Sequence, residues 1–263
     1  MVEQMFQLFT SFYRLPEAPV GWILFAFGLA LVFGAIWIAG FWPPLFKNWR
    51  LWLVLAGGII LPTIALSFIQ LPLQNVVSQP VIALLGKYLQ NIAVNLITGL
   101  LMAIISGLIL QGVLLIPVIY YRLNRPDEFT PRFGLMVGAL SGAAFGILQA
   151  YSLFSKFVEI GLVPILQANP ISYLAFVDTF FAVALFAGTT ALAGYALAKG
   201  KGWQAYLIFA GVNAVYDYIS LIMSAKIISL WAAEAIVTLL ALAAIGLALW
   251  LYWKKTRTEE KPA

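Results

Sequence analysis

Seven uninterrupted apolar runs constrain the fold of this chain more strongly than any other feature of its sequence. They cover roughly residues 18–41, 49–70, 92–121, 133–154, 171–197, 203–224 and 228–252. Each run is long enough for a helix, rising about 1.5 Å per residue, to cross a hydrocarbon core of ~30 Å. Lipid offers no hydrogen-bond partner to an open backbone, so such runs must be helical. The sequence therefore predicts an all-α polytopic membrane protein with seven transmembrane helices.

Composition leaves little room for a soluble part. Hydrophobic residues make up 63% of the chain, charged residues 10%, and the mean hydropathy is +0.98. A soluble surface needs many more charges than this. We therefore expect one transmembrane domain over residues 1–253, embedded in the lipid bilayer, and a polar cytoplasmic tail over residues 254–263. Nothing in this pattern suggests a nucleic-acid partner.

Basic residues are distributed unevenly between the two sides of the predicted membrane. Alternate loops and the tail hold eleven of the 15 basic residues, namely Lys47, Arg50, Arg122, Arg125, Arg132, Lys199, Lys201, Lys254, Lys255, Arg257 and Lys261. The other loops hold the remaining four, Arg14, Lys87, Lys156 and Lys226. The positive-inside rule assigns the richer side to the cytoplasm. The N-terminus is then outside, the C-terminus is cytoplasmic, and the expected location is the cell membrane.

The absence of histidine and cysteine excludes several kinds of chemistry. The chain has no His and no Cys. A catalytic cysteine and a general-base histidine are therefore ruled out, and the usual zinc ligands are largely missing. We expect no metal and no cofactor. Carboxylate chemistry remains open on this ground alone.

A glycine stripe is the sharpest local pattern. Gly134, Gly138, Gly142 and Gly146 recur every four residues in the fourth run. On a helix this spacing forms a face without side chains, to which another backbone can approach closely. The stripe predicts either packing against a helix of the same chain or a face for a partner helix.

Polar side chains inside apolar runs are the other candidates for function. They are Gln111, Gln149, Asp178, Thr189, Thr190, Asn213, Asp217 and Glu234. Such groups are costly in lipid and usually face the interior of the bundle. Asn213 and Asp217 are four residues apart and so share one helix face. The simplest interpretation of each is a hydrogen bond between helices; the alternative is a binding site or a polar path.

Three segments in the right order resemble the PrsW-type intramembrane proteases, which are relatives of the CAAX-processing glutamic proteases and of the Aph subunit of γ-secretase. Residues 134–150 read GLMVGALSGAAFGILQA, residues 186–195 read FAGTTALAGY, and residues 213–218 read NAVYDY. They are similar to the family's glycine-rich span, to its H-x-x-x-T-A-L-x-G-Y span and to its H-x-x-x-D span. The resemblance implies a PrsW-like core over about residues 92–225.

The departures from the family pattern fall on its catalytic groups. The family's paired glutamates align with Gln111 and Gly112, and its lysine aligns with Leu115. A third glutamate aligns with Gln149. The two histidines align with Phe186 and Asn213, and only the final aspartate is kept, as Asp217. Amides do not accept a proton near neutral pH. The resemblance therefore implies that the helical architecture of the family is kept and that its proton-transfer groups are lost.

Three functions follow as expectations. The first is an inactive, PrsW-like protein that acts as a structural or regulatory subunit and binds a partner membrane protein or helix. The second is a small transporter, channel or lipid-handling protein with Asp217 and Asp178 along a polar path. The third is an enzyme that uses Asp217, Asp178 or Glu234, which would have to converge within a few Å. We expect the first, and no enzymatic activity.

Overall fold

Every regular element that the structure describes is helical. The computed structural model describes residues 2–168 and 170–255. The α-helices are α1 (Val2–Ser11), α2 (Val20–Ala39), α3 (Arg50–Ala65), α4 (Leu71–Leu85), α5 (Asn91–Asn124), α6 (Pro131–Ile160), α7 (Leu162–Ala168), α8 (Leu174–Ala198), α9 (Gly202–Ser224) and α10 (Leu230–Trp250). A π-helical segment, Leu66–Gln70, joins α3 to α4 without a break, and a second one, Leu251–Lys255, follows α10.

Seven helical segments are long and apolar enough to span a membrane, as predicted. They are Val20–Ala39, Arg50–Leu85, Asn91–Asn124, Pro131–Ile160, Leu174–Ala198, Gly202–Ser224 and Leu230–Lys254. The all-α, seven-span prediction is therefore confirmed. The side of the membrane on which each terminus lies remains a prediction. Of the predicted tail, residues 256–263 lie outside the described part of the chain.

The second span is longer than its apolar run. The run ends near residue 70, yet the helix continues through the π-helical segment to Leu85. The third span begins only at Asn91, where α5 starts, so α4 belongs to the second span. The polar side chains of α4 ended the apolar run without ending the helix. One of them, Gln74, donates a 3.0 Å hydrogen bond to the carbonyl of Met102.

The N-terminal segment lies across one end of the bundle. Two aromatic rings of α1, Phe6 and Phe9, pack on Phe68 of the π-helical segment at centroid distances of 5.4 and 5.6 Å. The hydroxyls of Tyr13 and Thr63 are 2.7 Å apart. No residue of α1 is buried. We call this end of the bundle, where α1 lies and where α6 and α9 end, the N-terminal face, and the other end the opposite face.

Helices α6 and α8 form the centre of the bundle. They are the two most buried spans, and their mutual contact is the most extensive in the chain. Helices α2 and α3 cover α6, α10 covers α8, and α5 pairs with α9. This arrangement places the polar residues of α5, α6, α8 and α9 on facing surfaces.

Candidate functional site

The glycine stripe of α6 is covered by α8 of the same chain. A Cβ atom added to Gly134 would meet the carbonyl group of Gly194, and one added to Gly142 would overlap the carbonyl oxygen of Phe186. Gly138 faces the backbone of Thr190 in the same way, and Gly146 lies against Val183. The two backbones thus touch over four successive turns, as the spacing predicted.

Because α8 occupies the stripe, this face is not open to a helix of another protein. Packing within the chain was one of two predicted roles, and it is the one that the structure has. The partner-face interpretation of Gly134, Gly138, Gly142 and Gly146 was wrong. Glycine spacing reveals that a backbone approaches closely, but it carries no information about which backbone does so.

A buried pair of amides links α5 to α9. Asn213 donates a 2.9 Å hydrogen bond to Oε1 of Gln111. Gln111 is 0% exposed and Asn213 is 1% exposed. Among the described residues, Gln111 Nε2 and Asn213 Oδ1 have no hydrogen-bond partner. Each amide therefore has one polar atom without a hydrogen-bond partner, at a depth where such atoms are costly.

The neighbouring positions on α5 have packing roles. Gly112 lies beside the ring of Tyr206, which an added Cβ would meet at 3.4 Å. Leu115 is buried in the main apolar core. Of these three aligned positions, Gln111 alone has a side chain that hydrogen-bonds to another helix.

A second rung of the same interface holds Asp217. Ser106 donates a 2.5 Å hydrogen bond to Oδ2 of Asp217. Gly107 allows this approach, because a Cβ there would overlap the backbone of Ala210 and Ala214 on α9. Seven residues separate Asp217 from Ser224 at the end of α9, which places it about 10 Å inside the span at the rise of an α-helix. Asp217 is therefore an intramembrane carboxylate nearer the N-terminal face.

A cavity of about 410 Å³ opens beside Asp217. Gln149, Phe186 and Asp217, three of the positions singled out from the sequence, line it together. Phe186 is held by the rings of Phe145 and Tyr216, at centroid distances of 5.2 and 5.7 Å. The remaining lining is mostly apolar and includes Leu8 of α1 and Phe12, which directly follows α1. We call this space the Asp217 cavity.

A smaller cavity of about 240 Å³ adjoins it toward the N-terminal face. Asp178, Tyr216 and Lys156 line this second space, and it shares Phe12 and Gln149 with the Asp217 cavity. Gln149 therefore contributes a polar side chain to the lining of both cavities.

The three intramembrane carboxylates do not form one cluster. Asp178 lines the smaller cavity together with Tyr216, and Asp217 lines the larger one. Glu234 lines neither cavity, and its Oε2 is buried without a hydrogen-bond partner among the described residues. Within residues 2–168 and 170–255, no group of three or more His, Cys, Asp or Glu could hold a metal ion. Convergence of all three carboxylates on one metal-binding point is therefore not seen among the described residues.

Thr189 and Thr190 of α8 contribute to helix packing. Thr189 donates a 2.8 Å hydrogen bond to the carbonyl of Leu185 within its own helix. Thr190 is fully buried, and its backbone lies against Gly138. Its Oγ1 has no hydrogen-bond partner among the described residues. Thr190 therefore belongs to the α6–α8 contact and does not line either cavity.

The sequence analysis singled out few residues of the Asp217 cavity, and it missed Ser106, Gln70 and Phe12 among others. Ser106 looked like a small packing residue, Gln70 lay at the end of an apolar run, and Phe12 lay outside every run. Gln70 lines the Asp217 cavity, and its Oε1 is buried without a partner among the described residues. The amphipathic pattern of α1 was the one available signal, since Val2, Met5, Phe6 and Phe9 recur at helical spacing.

The chain matches no protein-family model, no curated protein and no solved structure. Its residues and their geometry are therefore the whole basis for assigning a function.

Proposed function

We propose that this chain is a non-catalytic membrane protein that holds a transmembrane segment of a partner protein in the Asp217 cavity. The observation that supports this proposal is the set of residues that line the cavity. Asp217 is the one ionisable side chain among the described residues that line it, and Ser106 already hydrogen-bonds its carboxylate. A lone carboxylate lacks the second acid, base or metal that water activation in a bilayer requires.

The other polar groups suit binding rather than proton transfer. Gln70, Gln74 and Gln149 line the same cavity and present amide donors and acceptors. A transmembrane segment that is locally unwound must satisfy its free backbone groups within protein. Amides in a cavity of about 410 Å³ offer such partners, and that volume lies within the ~300–1,000 Å³ typical of binding pockets.

Entry to the cavity is covered by α1, which is a suitable gate. Leu8 of α1 and the following Phe12 line the cavity, yet no residue of α1 is buried. An element with so little buried surface opens at low cost. The resemblance to PrsW-type proteases supports the same function, because the positions of its lost catalytic groups, Gln149 and Phe186, face this space.

Photo-crosslinking in native membranes tests the proposal. Gln149 is replaced by p-benzoylphenylalanine, and Leu239, a lipid-facing residue of α10 that is 67% exposed, serves as the control position. We expect an adduct from position 149 alone that maps to a transmembrane segment of another protein. Ala103→Phe, which fills the cavity, should abolish that adduct. Adducts to lipid only, or equal adducts from both positions, would refute the proposal.

The neighbouring cavities favour a second candidate, the transport of a small cation. They share Phe12 and Gln149, and one is lined by Asp178 and the other by Asp217. Uptake of methylammonium into proteoliposomes is the test. This candidate requires uptake by the native chain and its loss in Asp217→Asn; absence of uptake by the native chain removes it.

A further inference from the structure

A separate groove runs between α3 and α5 at the opposite face. It begins where α3 starts and α5 ends, and it encloses about 690 Å³. None of its lining residues lines the Asp217 cavity or the smaller cavity beside it. The function proposed above therefore leaves this groove without a role.

The deeper part of the groove is apolar and opens toward lipid. Its floor includes Val54, which is 3% exposed, and Gly57, whose missing side chain leaves room beside the ring of Pro117. Its walls include Leu53 and Ile116, which are 48% and 46% exposed. A buried floor between exposed apolar walls gives a channel that is continuous with the lipid-facing surface.

The mouth of the groove carries two arginines. Arg50 is the first residue of α3, and Arg125 directly follows α5, so both lie at the boundary of the spans. Within residues 2–168 and 170–255, no carboxylate lies within ion-pair distance of Arg50. Arg125 has one contact to Glu128 at 3.6 Å between half-exposed side chains, and such a pair is weak. The mouth therefore has cationic donors for an anion.

We propose that this α3–α5 groove binds an anionic glycerophospholipid. The phosphate lies between Arg50 and Arg125, whose guanidinium groups match its geometry, and one acyl chain lies along the floor beside Gly57. Charge complementarity at the mouth and an apolar channel behind it fit this class of lipid. An apolar partner helix would leave Arg50 without an anion.

Native mass spectrometry of the delipidated full chain in detergent tests this directly. Phosphatidylglycerol and phosphatidylcholine with the same acyl chains are titrated separately. The native chain is expected to prefer phosphatidylglycerol on the order of tenfold, from two basic side chains near the headgroup. In Arg50→Gln/Arg125→Gln the preference should fall to near unity. The matched control, Lys47→Gln/Arg122→Gln, removes two charges from the same face outside the groove and should keep it.

A second pair of variants tests the acyl-chain position without changing charge. Ile116→Trp places bulk in the groove and should weaken binding of phosphatidylglycerol severalfold. Ile119→Trp, at a lipid-facing residue of α5 outside the groove lining, should not. Equal loss in the two charge variants, no preference in the native chain, or equal effects of the two tryptophans would each overturn the proposal.

Discussion

Asn213 on α9 donates a hydrogen bond to Gln111 on α5, and four residues further along α9 the carboxylate of Asp217 accepts one from Ser106. The two helices run antiparallel, so the two bonds are successive rungs of one interface. Gly107 lies between the rungs and brings the backbones together. The polar residues of α9 are thus fixed in place by α5, which leaves their orientation little freedom.

Replacing one member of the amide pair should destabilise the chain more than replacing both. Gln111→Leu leaves the amide of Asn213 buried without its acceptor, a loss of about 1–3 kcal/mol in the free energy of unfolding. Gln111→Leu/Asn213→Leu should recover part of that loss. Unfolding by SDS in mixed micelles measures each variant. Additive losses in the double variant would show that the two amides do not depend on each other.

The glycine stripe should tolerate no added methyl group. Gly142→Ala forces a Cβ against the carbonyl of Phe186 on α8, and overpacking of this kind costs about 1–3 kcal/mol. Gly211→Ala is the matched control, because nothing lies within 4 Å of a Cβ at that helical glycine. The same SDS titration compares them. Equal stability of the two variants would mean that α6 and α8 are not in contact at Gly142.

The Asp217 cavity should be reachable by water from the N-terminal face. The chain has no cysteine, so single cysteines report without background. Gln149→Cys should react with a charged methanethiosulfonate reagent added on that side, whereas Leu140→Cys, fully buried on the same helix, should not. Failure of Gln149→Cys to react would show a closed interior around Asp217.

Loosening α1 should speed that reaction. Phe9→Ser removes a ring that packs on Phe68, which should weaken the hold of α1 over the cavity. We expect a severalfold faster labelling of Gln149→Cys in this background, because opening of a weakly held element limits access. Phe46→Ser, at an exposed ring on the opposite face, is the control. An unchanged labelling rate would exclude α1 as the gate.

The orientation predicted from the basic residues can be tested with the same chemistry. Lys226→Cys lies after α9 on the N-terminal face, and Lys47→Cys lies between α2 and α3 on the opposite face. If the positive-inside rule holds, intact cells should label Lys226→Cys with an impermeant reagent and leave Lys47→Cys unlabelled. The reverse pattern would invert the topology.

The sequence predicted the spans well because an apolar run of this length is stable in lipid as a transmembrane helix. It did not predict that the helix continues from α3 into α4, because polar side chains end the apolar run there. One of them, Gln74, remains in the helix and hydrogen-bonds to α5. It missed α1 because a short amphipathic helix lacks the long run that signals a span. A long apolar run marks a segment that contacts lipid along its whole length. The helices α4 and α1 lack such a run because they carry polar side chains on part of their surface.

The candidate site was predictable only in part. The spacing of Asn213 and Asp217 placed them on one helix face, and the structure confirms that both face α5. Their partners, Gln111 and Ser106, could not be paired with them from the sequence, because the vertical offset of two antiparallel helices is set by packing along their whole length. The α6–α8 contact shows the same limit, since Gly134 and Gly194 lie 60 positions apart and meet only in the fold.

The π-helical segment at Leu66–Gln70 determines how α4 is rotated about the helix axis relative to α3. A π-turn contains one residue more than the α-helical turn it replaces, so it rotates the downstream helix by about 100°. Deleting one residue from Leu66–Gln70 should therefore restore a plain α-helix and leave Gln74 facing Met102, because the lost residue and the lost π-turn offset each other. If the same residues took up α-helical hydrogen bonding with no deletion, α4 would turn by about 100° and Gln74 would lose its place in the lining of the Asp217 cavity.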